Sequence, residues 1–112
     1  MKYYSEEEMK DIRIAFEEKI LAWPEVTAKK MFGCPCYKAD NKLFAFLVTG
    51  GVVLTKLSEL DRETLSNSFD TEPFQAGKKT INNWPRITVQ DISELPKIIT
   101  FVENSYKTAM SG

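Results

Sequence analysis

Between residues 27 and 57 the chain has no room to cross from one edge of a sheet to the other. The extended pieces Lys29–Phe32 and Cys34–Lys38 are separated only by Gly33. The apolar run Leu43–Val48 (LFAFLV) follows the turn sequence Ala39–Asn41 (ADN), and Val52–Leu57 (VVLTKL) follows Thr49–Gly51 (TGG). Parallel neighbours need a crossover of a dozen residues or more, whereas antiparallel neighbours need only a tight turn. Asp, Asn and Gly in these gaps carry the chemistry of such turns. The sequence therefore predicts an antiparallel meander. LFAFLV is apolar at every position, as for a strand covered on both faces.

Helices frame the meander. Ser5 and Glu8 form a capping-box pair, and Glu6, Glu7 and Glu8 sit where the helix dipole favours negative charge. Met9, Ile12, Phe16, Ile20 and Trp23 recur at three- and four-residue steps, one apolar stripe that Trp23-Pro24 ends. Ser58, with Asp61 three residues on, opens a second helix. Its Leu60 and Leu65 are expected to point inward, and Asp61, Arg62 and Glu63 to face water. Residues Glu72–Asn83 read as a loop, with at most a short strand at Glu72–Gln75. Trp84–Gln90 (WPRITVQ) reads as a late strand with Ile87 and Val89 on one face. Ser93 or Leu95 opens a terminal helix with Pro96 in its first turn and a stripe from Leu95 through Ile98 and Val102 to Ala109. The expected fold is α+β: a mostly antiparallel sheet of about five strands with N-terminal, middle and C-terminal helices packed on it. A length of 112 residues fits a single domain spanning 1–112.

Composition narrows function more than fold. No apolar run approaches the ~20 residues of a membrane span, and the N-terminus MKYYSEEEMK lacks the apolar core of a secretory signal. The expected location is the cytoplasm, where thiols stay reduced. The sequence contains no histidine. That removes the commonest general base and metal ligand, and excludes Ser-His-Asp and Cys-His mechanisms. The formal charge is −1, unevenly spread: residues 29–86 hold nine basic and six acidic side chains, net +3. This is too weak for a nucleic-acid binder but leaves room for a local anion-binding patch.

Three candidate sites stand out. Cys34 and Cys36 are the two cysteines, spaced C-x-C across Pro35. Zinc would need two more ligands, which only a symmetric dimer could supply. A redox pair more usually has two intervening residues. The preferred reading is structural: in an extended segment the two sulfurs share a face as small apolar fillers, and Pro35 argues for an edge or a bulge. The second candidate, Gly77–Arg86 (GKKTINNWPR), sets Lys78, Lys79 and Arg86 around Asn83 and Trp84. Interleaved basic and aromatic side chains can bind phosphate or stack a base, though one tryptophan can equally anchor a strand. The third, the acidic face of the first helix, reads as a solvated surface with pairs such as Glu6–Lys10.

The segments KKMFGCPCYKADNKLFAFL, LTKLSELDRETL and EPF, the tryptophan-led strand and the helix LPKIITFVENSYKTA together resemble the amino-terminal domain of TfoX-type proteins. YjbR/MmcQ-like proteins share the last part, a strand after NNW and a helix ending SY. The resemblance covers roughly residues 8–110. The MFG turn and LSELDRETL are its most specific features. It implies a compact α+β domain with an antiparallel sheet and no catalytic residues to carry over. In the namesake competence regulators a second, helical domain follows this one. The chain is expected to stop after one domain, so that role is not carried over. The resulting expectation is a non-enzymatic regulatory or protein-interaction module, without cofactor or metal and not on a membrane. Its partner is a protein rather than nucleic acid, and it is a monomer or a homodimer. The alternative is a small-ligand or nucleic-acid-phosphate binding module using the Lys78–Arg86 loop.

Overall fold

The computed structural model describes residues 3–111. The elements run α1 (Glu6–Ile20), β1 (Val26–Met31), β2 (Cys34–Ala39), β3 (Lys42–Val48), β4 (Gly51–Leu54), α2 (Glu59–Ser68), β5 (Thr71–Ala76), β6 (Lys79–Thr88), a 3₁₀ turn (Ile92–Glu94) and α3 (Leu95–Ser111). All strand pairs are antiparallel, in the order β1-β2-β3-β4-β6-β5. The protein is α+β, with six strands rather than about five. The additional strand lies where the sequence reads as a loop. Gly77, at φ 63°, begins a two-residue turn that closes β5 onto β6, with Ala76 paired to Lys79. Pro73 and Pro85 face one another further along this ladder. Neither has an N–H to donate, so the pairing slips there and Asn82, Asn83 and Trp84 stand between the paired residues Ile81 and Pro85. Those breaks in period disguise a long hairpin as a loop.

The meander turns obey local chemistry. Asp40 and Asn41 join β2 to β3, both at positive φ (51° and 68°). Phe32 and Gly33 join β1 to β2 in the same way (54° and 77°). Two consecutive positive φ values give the turn whose twist matches that of paired strands. Asp, Asn and Gly enter this region readily, and phenylalanine does so at a cost.

Alternation along the strands separates two faces. On one, Tyr37 meets Phe16 of α1 at 5.4 Å between ring centroids, and Phe44 meets Tyr106 of α3 at 5.6 Å. On the other, Phe46 meets Phe74 at 5.0 Å and Trp84 at 5.8 Å. A register shift between Tyr37 and Lys38 lets β3 bring Phe44 to the first face although Phe46, two residues on, lies on the second. On the helix-covered face Ser105, fully buried, joins α3 to the sheet. Its Oγ donates to the Phe44 carbonyl (2.7 Å) and accepts from the Lys56 N–H (3.1 Å). Tyr106 Oη donates to the Pro24 carbonyl at 2.8 Å, tying α3 to the end of the α1–β1 connection.

Three local expectations need correction. Leu65 is buried, but Leu60 is 71% exposed, because it sits in the first turn of α2, away from the side that meets β5 and β6. The capping box is half formed. Ser5 Oγ accepts from the Glu8 N–H, while the Ser5 N–H goes to Thr49 Oγ1 at 2.8 Å, a tertiary partner instead of Glu8. Pro35 lies in neither an edge strand nor a bulge: β2 is interior, and proline is tolerated because the β2–β3 ladder begins one residue later, at Cys36–Phe46.

Candidate functional site

The face of the sheet opposite α1 carries an apolar pocket of about 350 Å³. Its walls come from strands, hairpin turns and Tyr3, and no helical residue lines it. Met31, Phe32 and Cys34 arrive from the β1–β2 hairpin, and Ala76, Gly77 and Ile81 from the β5–β6 hairpin. Phe46, Phe74 and Trp84 form the aromatic wall. Register explains why these side chains converge. Met31 pairs with Cys34, Phe74 with Ile81 and Ala76 with Lys79, and partners across an antiparallel pair share a face. Among the described residues no carboxylate or ammonium lines the pocket. Tyr3 Oη accepts from the Gly77 N–H at 3.0 Å, holding the β5–β6 turn in place, and its own proton meets no acceptor among the described residues.

Phe32 is the anomaly of this region. It is 80% exposed and holds a positive φ of 54°. A bulky residue in that conformation is strained, and its ring gains little from burial. Both costs disappear with asparagine at this position, so an exposed ring here is not explained by folding.

The five residues singled out in the second candidate divide among different places. Trp84 is half-buried in the aromatic wall. Arg86 is committed elsewhere. Its Nη2 donates to the Thr49 carbonyl at 2.9 Å, its Nη1 lies 3.5 Å from Glu72, and its side chain lies over Gly51 with Nη2 beside Gly50. A Cβ on Gly51 would come within 2.8 Å of the Ile87 carbonyl, so the close β4–β6 approach depends on glycine there. Lys78, Lys79 and Asn83 are exposed. Lys78 occupies the β5–β6 turn, Lys79 shares the pocket's face through its pairing with Ala76, and Asn83 lies in the register slip. The phosphate-gripping cluster suggested by sequence is therefore not assembled.

Cys34 and Cys36 are free and buried, on the pocket's face of β2. Burial pushes both thiols up, Cys36 adding to the effect on Cys34, while Lys38 and Lys29 partly offset it at Cys36. A thiol shifted this way is a poor nucleophile at neutral pH. Among the described residues no group of three or more Cys, Asp and Glu is placed to hold a metal ion, and no helix is long and apolar enough to cross a membrane.

A second cavity, about 660 Å³, opens beneath α1 on the other side of the sheet. By sequence Glu6 and Glu17 read as solvated charges, but in the fold they are part of a chain of partners. Arg13 holds Glu6 through Nε (2.9 Å) and Nη2 (2.9 Å), and holds Glu17 through Nη1 (2.9 Å). Tyr4 Oη donates to Glu6 at 2.5 Å and Tyr37 Oη to Glu17 at 2.7 Å. The guanidinium and the Tyr4 hydroxyl hold the Glu6 carboxyl below its ordinary range. Burial, with the carboxylates next, pushes both phenols well above theirs. The Arg13–Glu17 pair could be found from its i,i+4 spacing. The phenols could not, since Tyr37 lies twenty residues from Glu17.

No family model matches the chain, and no curated protein matches it.

Proposed function

We propose that this protein is a non-enzymatic recognition module of the regulatory kind implied by the TfoX resemblance, acting in the cytoplasm by docking a protein partner on the open face of its sheet. The observation that carries this reading is Phe32. It is a strained, exposed aromatic at the mouth of an apolar pocket that both hairpins build. Ligand sites are concave, mostly apolar and few per protein, and this pocket has that character. The chemistry elsewhere points away from turnover. Both thiols are buried and shifted toward the neutral form, and the carboxylates beneath α1 are already engaged by Arg13 and two phenols.

The test combines capture with reactivity. Purified protein, cross-linked in extract of its source cells, is expected to yield a partner attached near Phe32 or Gly77–Lys79, and Phe32→Asn is expected to lose it. In the same preparation Cys34 and Cys36 are expected to resist alkylation at neutral pH until denaturant is added. Rapid alkylation of either thiol, or capture indifferent to Phe32, would overturn the reading. The phosphate-binding alternative draws no support from Arg86, whose guanidinium is already engaged.

A further inference from the structure

We infer that the partner segment taken by this face is an acidic peptide that inserts one aromatic side chain into the Trp84 pocket. This rests on the docking reading above and names the chemistry of what docks.

Three observations converge. The first is the size and lining of the pocket. At about 350 Å³ it lies near the lower end of the range for ligand sites, and its Phe46–Phe74–Trp84 wall offers edges and faces to a single incoming ring. The Tyr3 hydroxyl proton supplies one directional contact.

The second is the charge around it. Lys29 pairs with Cys36 across β1 and β2 and so shares that residue's face, although on the edge strand it also borders the cavity beneath α1. Lys38, two residues from Cys36, shares the face too. Lys79 stands there through its pairing with Ala76. Lys29 and Lys79 are exposed, and none of the three lysines lies in an ion pair among the described residues. The one carboxylate that the strands place on this face, Glu72, already faces Arg86. Three lysines thus share the sheet face that carries the apolar pocket, outside its lining. Interfaces match potentials, so the complement is apolar at its centre and negative at its flanks.

The third is placement. Lys29 belongs to one hairpin and Lys79 to the other, and both hairpins reach the pocket. One ring fills the pocket but cannot also extend its charge to both walls. A chain segment with carboxylates before and after an aromatic residue does both. A buried aromatic anchor with a polar rim is the usual distribution of energy at an interface.

The inference is tested by titrating the isotope-labelled full chain with three short synthetic peptides and following amide and indole shifts by NMR. The peptides carry a central tryptophan between glutamates, a central alanine between glutamates, and a central tryptophan between lysines. The first is expected to shift Phe32, the Gly77 turn, Ile81 and the Trp84 indole, and to bind at least about tenfold more tightly than the other two. Raising the salt is expected to weaken it. The surface double variant Lys29→Gln/Lys79→Gln, which leaves the core untouched, is expected to weaken it about threefold per lysine. Equal binding of the alanine peptide, preference for the lysine peptide, or shifts confined to the cavity beneath α1 would each overturn the inference. Failure of the acidic peptide to displace a partner captured through Phe32 would overturn it while leaving the docking reading in place.

Discussion

The cavity beneath α1 and the pocket on the opposite face share the β1–β2 hairpin as a wall. Lys30 and Pro35, a cross-strand pair, border the first, and Met31 and Cys34, the next pair along, border the second. The larger cavity is the more polar in its side chains, and apart from the exposed Lys29 and Lys30 at its border its charged groups are spent on one another. Arg13 spends three nitrogens on two carboxylates, and each carboxylate takes a phenol. The smaller pocket has few polar groups, and its aromatic surface reaches solvent at Phe32. The contrast teaches that chemical richness is a poor guide to binding. A satisfied polar network has little left to offer a partner, whereas unburied apolar surface still has its transfer free energy to gain.

The sharpest way to break this contrast is to damage the helix-covered face alone. Phe16 is buried against Tyr37, so Phe16→Ala is expected to cost about 3–5 kcal/mol in chemical denaturation. Peptide contacts at the open face should survive wherever the variant is folded. Loss of those contacts in the folded variant would mean that the two faces are not separable.

A smaller effect is expected at Ser105. Replacement by alanine removes the hydroxyl that links the Phe44 carbonyl to the Lys56 N–H, leaving the Lys56 N–H without this partner while the Phe44 carbonyl keeps only the Thr55 N–H. The expected loss is about 1–3 kcal/mol by the same measurement. A loss near zero would show that Ser105 is only a small packing residue.

Phe32→Asn sharpens the contrast by giving opposite signs. Asparagine followed by Gly33 is the preferred pair for this turn, so the variant is expected to be more stable by about 0.5–1 kcal/mol. It is also expected to lose binding. A destabilised variant would show that the Phe32 ring serves the fold.

The weakest expected effect is acid loss of the Glu6–Arg13 pair. The Glu6 carboxyl is held below its ordinary value of 4.5, so the stability it contributes is fully present above that value and lost as pH falls through the lowered one. Glu6 is exposed, and exposed pairs contribute little. Denaturant midpoints between pH 6 and pH 3 should therefore fall only slightly less steeply in Glu6→Gln than in the parent protein. An indistinguishable slope would assign the acid loss to other carboxylates.

Legibility in the sequence follows the range of the forces involved. The turn at Asp40–Asn41, the caps at Ser5 and Ser58, and the stripe Met9, Ile12, Phe16 and Ile20 were readable because their partners lie within a few residues. Leu60 was misplaced because helical spacing gives no account of which side of a short helix meets the sheet. The β5–β6 hairpin was hidden because Pro73 and Pro85 break its ladder, and only the pairing of the two prolines turns two irregular stretches into one irregular hairpin. Among the candidate residues, Trp84 could be picked out as an aromatic beside lysines. Arg86 could not be excluded, since the Thr49 carbonyl that holds it is thirty-seven residues away.

The sequence by itself determined that β1 to β4 run antiparallel, since the short gaps between these runs admit no other pairing, and it determined where α1 and α3 bury their stripes. Only the tertiary structure decided that Phe32 and Gly77, forty-five positions apart, line one pocket, and that Arg86 belongs to a different neighbourhood from Trp84. Turns and periodicity act within one or two turns of chain, so they are written locally. A pocket between hairpins depends on register, bulges and strand order summed over the whole sheet, and a shift of one residue would have sent its walls to the other face.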